Sequence, residues 1–292
     1  SLDIRDFKSF KKIINRVNPD FIFHLAAQAL VKESYNEPLS TFGSNTVGTL
    51  NLMEILRSYK KKCTVVIITS DKVYKNLESK KGYKENSALG GIDPYSGSKA
   101  AAELIIDTYL KSYFLKKNNN ISIAVARAGN VIGGGDWAKN RLIPDCMKAW
   151  SKNKKVYLRN PNSTRPWQHV LEPLSGYLIL AEKINDEQKI FSSSFNFGPF
   201  TDSNRSVKDL VTESLKHWKG EYFIQDNPEK LHEAGVLHLS IEKAMKHLLW
   251  EPKWDFEETI KKTIIWYKNV YQENKNPTEC SISDLNSYLS EN

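Results

Sequence analysis

The chain has 292 residues, 40% of them hydrophobic and 26% charged, and this length allows one large α/β domain with a smaller lobe. The formal net charge is +8, but the lysines stand in short, scattered runs without interleaved aromatic residues, so we expect no nucleic-acid partner. We also expect no membrane partner, since no apolar run approaches the roughly 20 residues of a spanning helix. The three widely spaced cysteines favour reduced thiols in the cytoplasm and no metal site.

The first half of the chain alternates helices and strands. Apolar periodicity and flanking prolines predict three helices, over residues 6–17, 38–59 and 94–116. Short apolar runs typical of buried parallel strands lie at residues 21–25, 65–68 and 121–126. The predicted fold class is therefore α/β with a parallel sheet.

The pattern becomes less regular beyond Gly129. Short strands are predicted at residues 156–158, 168–170 and 194–197, and helices at residues 206–218 and 256–271. The triple glycine at 133–135 does not have the spacing of a phosphate-binding loop, and a flexible turn is the favoured interpretation. We divide the chain into residues 1–132, a second lobe over 133–271 with interleaved segments, and a loosely attached polar tail over 272–292.

Two short motifs indicate redox chemistry on a hydroxyl group. Thr69-Ser70-Asp71-Lys72 follows an apolar run, and Tyr95-Ser96-Gly97-Ser98-Lys99 opens a helix. A lysine one turn after a tyrosine can stabilise phenolate and lower the tyrosine's pKa toward neutrality. Tyr-x-x-x-Lys alone is more typical of a solvated helix face, and Asp71-Lys72 alone of an exposed ion pair. The two preceding strands favour the functional interpretation, because their carboxyl ends would bring both motifs together.

Longer motifs strengthen this interpretation. They are Asp3-Ile4-Arg5-Asp6, His24-Leu25-Ala26-Ala27-Gln28, Asn45-Thr46-Val47-Gly48-Thr49, the stretch from Ala126 to Trp137, and Arg165-Pro166-Trp167-Gln168-His169-Val170-Leu171-Glu172-Pro173. Together with the two motifs above, the chain resembles the extended short-chain dehydrogenase/reductases that act on nucleotide sugars, and within them the 4,6-dehydratases of the CDP-glucose branch. The resemblance implies a Rossmann-type doubly wound sheet, of which 1–132 is the dinucleotide-binding part, and a substrate-binding lobe.

The resemblance also implies an activity and a cofactor. In these enzymes NAD takes a hydride from sugar C4 and returns it at C6, with loss of water between C5 and C6. Tyr95 would be the base for the C4 hydroxyl, Lys99 would lower its pKa and hold the nicotinamide ribose, and Ser70 would orient the C4 oxygen. Asp71 and Lys72 would supply the acid near C6 and the base near C5. A lysine acts as a base only if its pKa falls well below about 10.4.

Further binding roles follow from the resemblance alone. The residues that would contact the cofactor are Asp3, Ile4, Leu25, Ala26 and Ala27, besides Tyr95 and Lys99. The residues that would contact the nucleotide-sugar substrate are Gln28, Asn130 and Arg165. The choice of NAD over NADP also rests on the resemblance. The helices over 38–59 and 94–116 match the pair that forms a four-helix interface in relatives, which implies a homodimer.

The sequence departs from the family pattern at its beginning. Ser1 corresponds to a position just after the third strand, so the glycine-rich dinucleotide fingerprint and the first three strands are not in this sequence. We expect the strand at residues 21–25 to be a sheet edge, and the chain as written to bind NAD poorly. It would be a fragment of a longer polypeptide or a chain without independent activity. The alternatives to the dehydratase are a related epimerase or dehydratase and a non-catalytic, dimerising homologue.

Overall fold

The computed structural model describes residues 2–79, 81–116, 119–158, 160–187, 193–200, 203–224 and 237–291. Its helices are α1 (Phe7–Val17), α2 (Val31–Asn36), α3 (Pro38–Phe42), α4 (Gly48–Arg57), α5 (Pro94–Tyr109), α6 (Leu142–Trp150), α7 (Leu171–Asp186), α8 (Val207–Ser214), α9 (Glu242–Leu248), α10 (Phe256–Tyr271) and α11 (Pro277–Ser290). Its strands are β1 (Phe21–His24), β2 (Cys63–Ile68), β3 (Ile121–Ala128), β4 (Val131–Ile132), β5 (Val156–Leu158), β6 (Thr164–Pro166), β7 (Gln168–His169), β8 (Ser194–Phe197), β9 (Asn204–Ser206) and β10 (Tyr222–Ile224).

The main sheet is parallel and has the order β1-β2-β3-β8. The central strands β2 and β3 pair along their lengths, from Cys63 with Ile121 to Ile68 with Ala126. Among the described residues β1 pairs with β2 alone, so it is an edge strand as predicted, and its Phe21 and Phe23 are exposed. The α/β class with a parallel sheet is thereby confirmed, and the carboxyl ends of all four strands point to one side.

Local signals fix the helix that carries the tyrosine and lysine. Asp93 caps α5 by accepting from the Ser96 backbone N–H at 2.9 Å, and Pro94 occupies the first turn. The two long helices predicted over 38–59 and 94–116 are interrupted by π-helical turns, at Gly43–Val47 and Leu110–Phe114. The first interruption separates α3 from α4, and the second ends α5.

The core lies on both faces of the sheet and extends into the second half of the chain. One cluster joins α1, α4 and α5 to the sheet through residues such as Phe10, Leu52 and Ile106. A second surrounds β8 and α7. A third consists of residues from the second half alone, around Trp150 and Tyr267. Strand β8 from the second half thus completes the sheet of the first half, as the predicted interleaving requires, while the domain boundaries stay a prediction.

The prediction of a loosely attached tail over residues 272–292 was wrong for much of that segment. Helix α11 packs against α10, and its Cys280 and Tyr288 are buried. Tyr288 donates to a carboxylate oxygen of Glu172 at 2.8 Å, and its hydroxyl lies 2.9 Å from the Ser175 hydroxyl. The buried Tyr288 therefore helps to attach α11 to the rest of the protein, although most residues of this helix are polar. Within the described parts of the chain, no helix is both long and apolar enough to cross a membrane.

Candidate active site

The predicted catalytic motifs meet at a cavity of about 710 Å³ beyond the carboxyl ends of β2 and β3. This volume is in the range of small-molecule sites, and the end of a parallel sheet is where such ligands bind. The predicted site residues that line the cavity are Ser70, Asp71, Lys72, Tyr95, Asn130 and Arg165. Lys99 and Gln28 are not part of this lining, although both belong to segments that border it.

A short 3₁₀ turn holds the segment after β2. The Ser70 hydroxyl accepts from the Lys72 backbone N–H at 3.2 Å and donates to Asp71 Oδ1 at 3.0 Å. Asp71 is buried and Lys72 is half-buried. The serine that begins the turn therefore orients the carboxyl group that follows it, and places the serine hydroxyl itself at the cavity wall.

Burial controls the protonation of Asp71. Desolvation raises the pKa of this carboxyl, and the charges of Lys72 and Arg165 oppose the rise only in part. Its Oδ2 atom is buried and has no hydrogen-bond partner among the described residues. Gly129 leaves room beside this atom, since a Cβ there would lie 3.6 Å from Oδ2 and 2.9 Å from the Pro166 ring. Asp71 is thus a buried carboxyl group with one oxygen available to a ligand.

Tyr95 and Lys99 lie one turn apart on α5, and both are buried. Ser70 is near enough to the Tyr95 hydroxyl to lower its pKa, and both side chains line the same cavity, so the two motifs lie side by side. Lys99 Nζ donates to the Ile68 carbonyl oxygen at 3.2 Å and to no other acceptor within the described ranges. Burial lowers the pKa of Lys99 to about 8, and the charge of Glu103 opposes this shift. The lysine therefore keeps donors for a ligand.

The sequence predicts a lowered pKa for Tyr95, but in the protein by itself this pKa is raised. Burial raises the pKa of Tyr95 to about 12, while the Ser70 hydroxyl and the charge of Arg141 lower it. Helical spacing led us to expect a value near neutrality from Lys99, but the spacing carries no information on desolvation. The tyrosine is placed for proton transfer, and the protein alone leaves it protonated.

Asn130 and Arg165 lie where the resemblance puts substrate contacts. Asn130 follows β3, and its carbonyl oxygen accepts from the Gln168 backbone N–H at 3.1 Å. Arg165 in β6 is buried, donates to the Thr164 carbonyl oxygen at 2.8 Å, and lies close enough to Asp71 to lower the pKa of that carboxyl. A guanidinium at the cavity wall can hold an anionic group through parallel donors.

The side chain of Gln28 forms hydrogen bonds to nearby protein groups. Its Nε2 donates to the Leu30 carbonyl oxygen and the Thr41 hydroxyl at 3.0 and 2.9 Å, and its Oε1 accepts from the Leu30 backbone N–H. The Asn45 side chain bonds both backbone groups of Gln28, at 2.8 and 2.9 Å. Gln28 therefore shapes the loop that leads to the cavity-lining Ala29 and Leu30, and its role as a substrate contact stays a prediction.

The other predicted cofactor residues belong to two segments, one directly after β1 and one before α1. Leu25, Ala26 and Ala27 are exposed just beyond the carboxyl end of that strand. Both carboxylate oxygens of Asp3 accept from the Arg5 guanidinium, which lowers the pKa of Asp3 to about 2. The half-buried Ile4 packs on α4, where a Cβ at Gly48 would lie 2.4 Å from Ile4 Cδ1. The small side chains after β1 leave backbone accessible to a bound dinucleotide.

Three cavity residues were missed from the sequence. Lys139 and Arg141 follow the triple-glycine turn, and Arg141 pairs with Asp136 at 3.3 Å while its charge lowers the pKa of Tyr95. Tyr177 reaches the cavity from α7. The closeness of two basic residues to a glycine turn was a usable signal for an anion site, whereas nothing local marked Tyr177. Within the described residues no cluster of three or more His, Cys, Asp and Glu side chains is placed to hold a metal ion.

Known proteins resemble this chain in sequence along most of its length. A family profile described as GDP-mannose 4,6-dehydratase matches residues 1–263. The chain is 41% identical to CDP-glucose 4,6-dehydratase of Salmonella typhimurium, over 99% of this chain and 81% of that protein.

Solved structures show the same fold. The UDP-glucose 4-epimerase of Thermotoga maritima with UDP-glucose matches with a TM-score of 0.78 and 22% identity, over 92% of this chain and 84% of the other. The dTDP-glucose 4,6-dehydratase of Bacillus anthracis in complex with NAD matches with a TM-score of 0.76 and 22% identity, over 92% and 79% of the two chains.

Proposed function

The chain belongs to the GDP-mannose 4,6-dehydratase family, and from this premise we propose that the protein converts CDP-glucose to CDP-4-dehydro-6-deoxyglucose and water. Support for the substrate comes from the 41% identity to the Salmonella typhimurium CDP-glucose 4,6-dehydratase. Support for the reaction comes from Asp71, a buried carboxyl with a raised pKa and one unpartnered oxygen, in contact with Ser70 beside Tyr95. A protonated acid at that place is what elimination of a hydroxyl as water needs.

NAD is the proposed cofactor, as in the NAD complex of the Bacillus anthracis dehydratase. The residues fit its nicotinamide end, because Lys99 presents a buried ammonium with one hydrogen bond to protein, and Leu25–Ala27 leave the end of β1 open. Bound NAD would supply a reversible hydride acceptor. Asp3 and Ile4 are the proposed contacts of the adenosine.

Different side chains of this protein would carry out the separate proton transfers. Tyr95 would take the C4 hydroxyl proton, with Arg141 as a cation that favours its phenolate. Lys99, one helical turn away, would support the same role and hold the nicotinamide ribose. Ser70, which donates to Asp71 and lies near Tyr95, would hold the C4 oxygen between them. Oxidation at C4 makes the C5 proton acidic, Lys72 would remove it, and Asp71 would protonate the departing C6 hydroxyl.

Substrate binding would use the cationic side of the cavity. Arg165, Arg141 and Lys139 line it, and Asn130 lies at the end of β3. These groups match the two phosphates of a nucleoside diphosphate sugar in charge and in hydrogen bonding. A basic protein surface also attracts such an anionic substrate from solution.

The proposed setting is a cytoplasmic homodimer that makes a deoxysugar precursor of surface polysaccharide, such as lipopolysaccharide. The cysteines Cys63, Cys146 and Cys280 are free and buried, which suits a reducing compartment. The two helical segments that would form the dimer expose large apolar side chains, including Leu39, Val47 and Leu104. Exposed apolar side chains clustered in this way are typical of an interface.

A substrate panel tests this function. The full-length protein with NAD is incubated separately with CDP-glucose, dTDP-glucose, UDP-glucose and GDP-mannose, and the products are identified by mass spectrometry. We expect loss of one water from CDP-glucose at a rate at least about 100-fold above the others, given that each pairs a different base or sugar with the site. A preferred substrate other than CDP-glucose, or isomerisation without loss of water, would reject the proposal.

A further inference from the structure

A buried ion pair joins the helix of Tyr95 and Lys99 to the centre of the sheet. Glu103 on α5 and Arg127 on β3 have side chains that are 3% and 4% exposed. Arg127 Nε donates to Glu103 Oε1 at 2.7 Å, and a second guanidinium nitrogen donates to Oε2, so the pair is bidentate. Removing two charges from water is costly, and a buried pair is therefore weak evidence for stability alone.

The Glu103 carboxylate contacts the other catalytic segment as well. Its Oε1 accepts from the Thr69 hydroxyl at 2.6 Å, and Thr69 immediately precedes Ser70. Glu103 also lies one helical turn after Lys99. A single buried carboxylate is thereby bonded to the segment of Ser70 and Asp71 and shares a helix face with Lys99.

The Arg127 guanidinium holds the cavity wall on its other side. It donates to the Tyr74 hydroxyl at 2.7 Å, to the Glu85 carbonyl oxygen at 3.0 Å and to the Ser194 hydroxyl at 3.1 Å. Tyr74 lines the cavity and follows the turn of Asp71 directly. The ion pair therefore connects α5, β8, and the segments that enter and leave the 3₁₀ turn.

The charge of the Glu103 carboxylate also acts on Lys99 and raises the pKa of its ammonium group. Two titratable groups are coupled to this lysine in the described structure: Glu103 from its own helix and His24 from β1. Burial lowers the pKa of His24 to about 4, so this histidine is neutral at physiological pH. Glu103 is left as the negative charge that favours the ammonium form of Lys99.

We propose that Glu103 is a positioning residue for catalysis, which through Thr69 and Arg127 fixes Ser70 and Asp71 relative to α5 and keeps the ammonium of Lys99 charged. The inference rests on the proposed function for its catalytic meaning. Glu103 would thus have two separate effects. The hydrogen bond with Thr69 sets geometry, and the negative charge acts on Lys99.

Three variants separate these effects. Glu103→Gln keeps the volume and an oxygen for Thr69 and removes the charge. The double variant Glu103→Gln/Arg127→Gln removes both charges, and so avoids an unpaired buried guanidinium if the single variant fails to fold. Thr69→Val removes the hydroxyl and leaves the ion pair. Asp107→Asn is the matched control, since Asp107 is an exposed carboxylate one turn further along α5 that pairs with Lys111 at 2.6 Å.

The first measurement needs neither substrate nor cofactor. The pKa of Lys99 is followed by NMR titration of the full-length protein with ¹³C-labelled lysine, its resonance being assigned through Lys99→Arg. We expect Glu103→Gln to lower this pKa by about one unit, and the double variant to lower it by less because it also removes the positive charge of Arg127. Thr69→Val and Asp107→Asn should leave the pKa in place. An unchanged pKa in folded variants without the Glu103 charge would overturn the inference, whether or not CDP-glucose proves to be the substrate.

The second measurement uses the dehydration reaction. With the Glu103 charge removed, Lys99 loses its proton at lower pH, so the alkaline limb of the kcat profile should move to lower pH by the same amount. Thr69→Val should lower kcat about tenfold or more without moving that limb, because only the placement of Ser70 and Asp71 changes. Equal profiles and equal kcat for all variants would show that the ion pair has a structural role only.

Discussion

Ser70 donates a hydrogen bond to Asp71, with 3.0 Å between Oγ and Oδ1, while the second oxygen of that buried carboxyl has no partner among the described residues. This relationship defines the site. The serine hydroxyl also lies near Tyr95, so one short turn brings the proposed base for C4 close to the proposed acid for C6. Oxidation and elimination at neighbouring carbons can then use adjacent side chains without movement of the sugar.

The first prediction concerns Asp71→Asn and the elimination step. An amide cannot protonate the leaving hydroxyl, so water loss should slow by at least about 100-fold. Oxidation at C4 does not need this acid and should continue. Single-turnover experiments with CDP-glucose should therefore show reduced cofactor accumulating, by absorbance, with a 4-keto sugar that still holds its C6 hydroxyl.

Asp20→Asn serves as the control for that experiment, since Asp20 is an exposed carboxylate paired with Lys61 at 2.8 Å. It should behave as the unmodified protein. If Asp71→Asn eliminates water at an undiminished rate, Asp71 is not the acid.

The second prediction concerns how the stability of the protein changes with pH. The direction of the change follows from the burial of Asp71. The native state raises the pKa of Asp71, so the carboxyl keeps its proton to higher pH than in the unfolded chain, whose pKa is about 3.9. Its contribution to stability is full below that value and is lost as the pH rises through the native pKa. We expect Asp71→Asn to melt at a higher temperature than the unmodified protein at pH 8, and the gap to narrow toward pH 4. A variant that is less stable at both values would contradict the argument.

The third prediction concerns the C-terminal helix. Glu172 is fully buried and accepts from the Trp254 and Lys253 backbone N–H groups at 2.8 and 3.1 Å, as well as from Tyr288. Tyr288→Phe leaves that carboxylate short of a donor, so the free energy of unfolding should fall by about 1–3 kcal/mol in urea titrations.

Tyr113→Phe is the matched control for Tyr288, because Tyr113 is exposed and its ring contact with Tyr109 survives the change. It should alter the free energy of unfolding by less than about 0.5 kcal/mol. Equal effects of the two substitutions would show that α11 is not held by the Tyr288 hydroxyl.

The fourth prediction concerns the proposed dimer. Leu104 on α5 is 59% exposed, beside the segment of α4 that the interface would also use. A lysine there would place a charge in an apolar contact, so Leu104→Lys should shift the protein to monomer in analytical ultracentrifugation. Leu289→Lys, at an equally exposed leucine on α11, should leave the sedimentation of the protein unchanged. A Leu104→Lys variant that sediments as the unmodified protein does would place the interface elsewhere.

The sequence predicted elements whose signals are local. The apolar run at Val65–Ile68 became most of β2, and the proline before Tyr95 begins α5 as predicted. Motif spacing also placed Ser70 and Tyr95 at one cavity. These features depend on periodicity and capping, which short windows of sequence contain.

Features that depend on distant partners were not predictable in the same way. Helix α11 is docked by Tyr288 on Glu172, more than 100 residues away in the chain. The raised pKa of Tyr95 comes from burial by the surrounding fold, and the pairing of Glu103 with Arg127 joins a helix to a strand. Each of these arises from tertiary contacts, which single-sequence patterns do not carry.

The proposed reaction is tested by following the hydrogen atom at C4 of the sugar. CDP-glucose with deuterium at C4 is converted by the full-length protein in ordinary water, and the product is examined by mass spectrometry and NMR. We expect CDP-4-dehydro-6-deoxyglucose with the deuterium at C6, because the hydride taken from C4 is returned within the same active site. Deuterium retained at C4 in a sugar of unchanged mass would identify an epimerase, and no conversion by protein saturated with NAD would remove the enzymatic assignment.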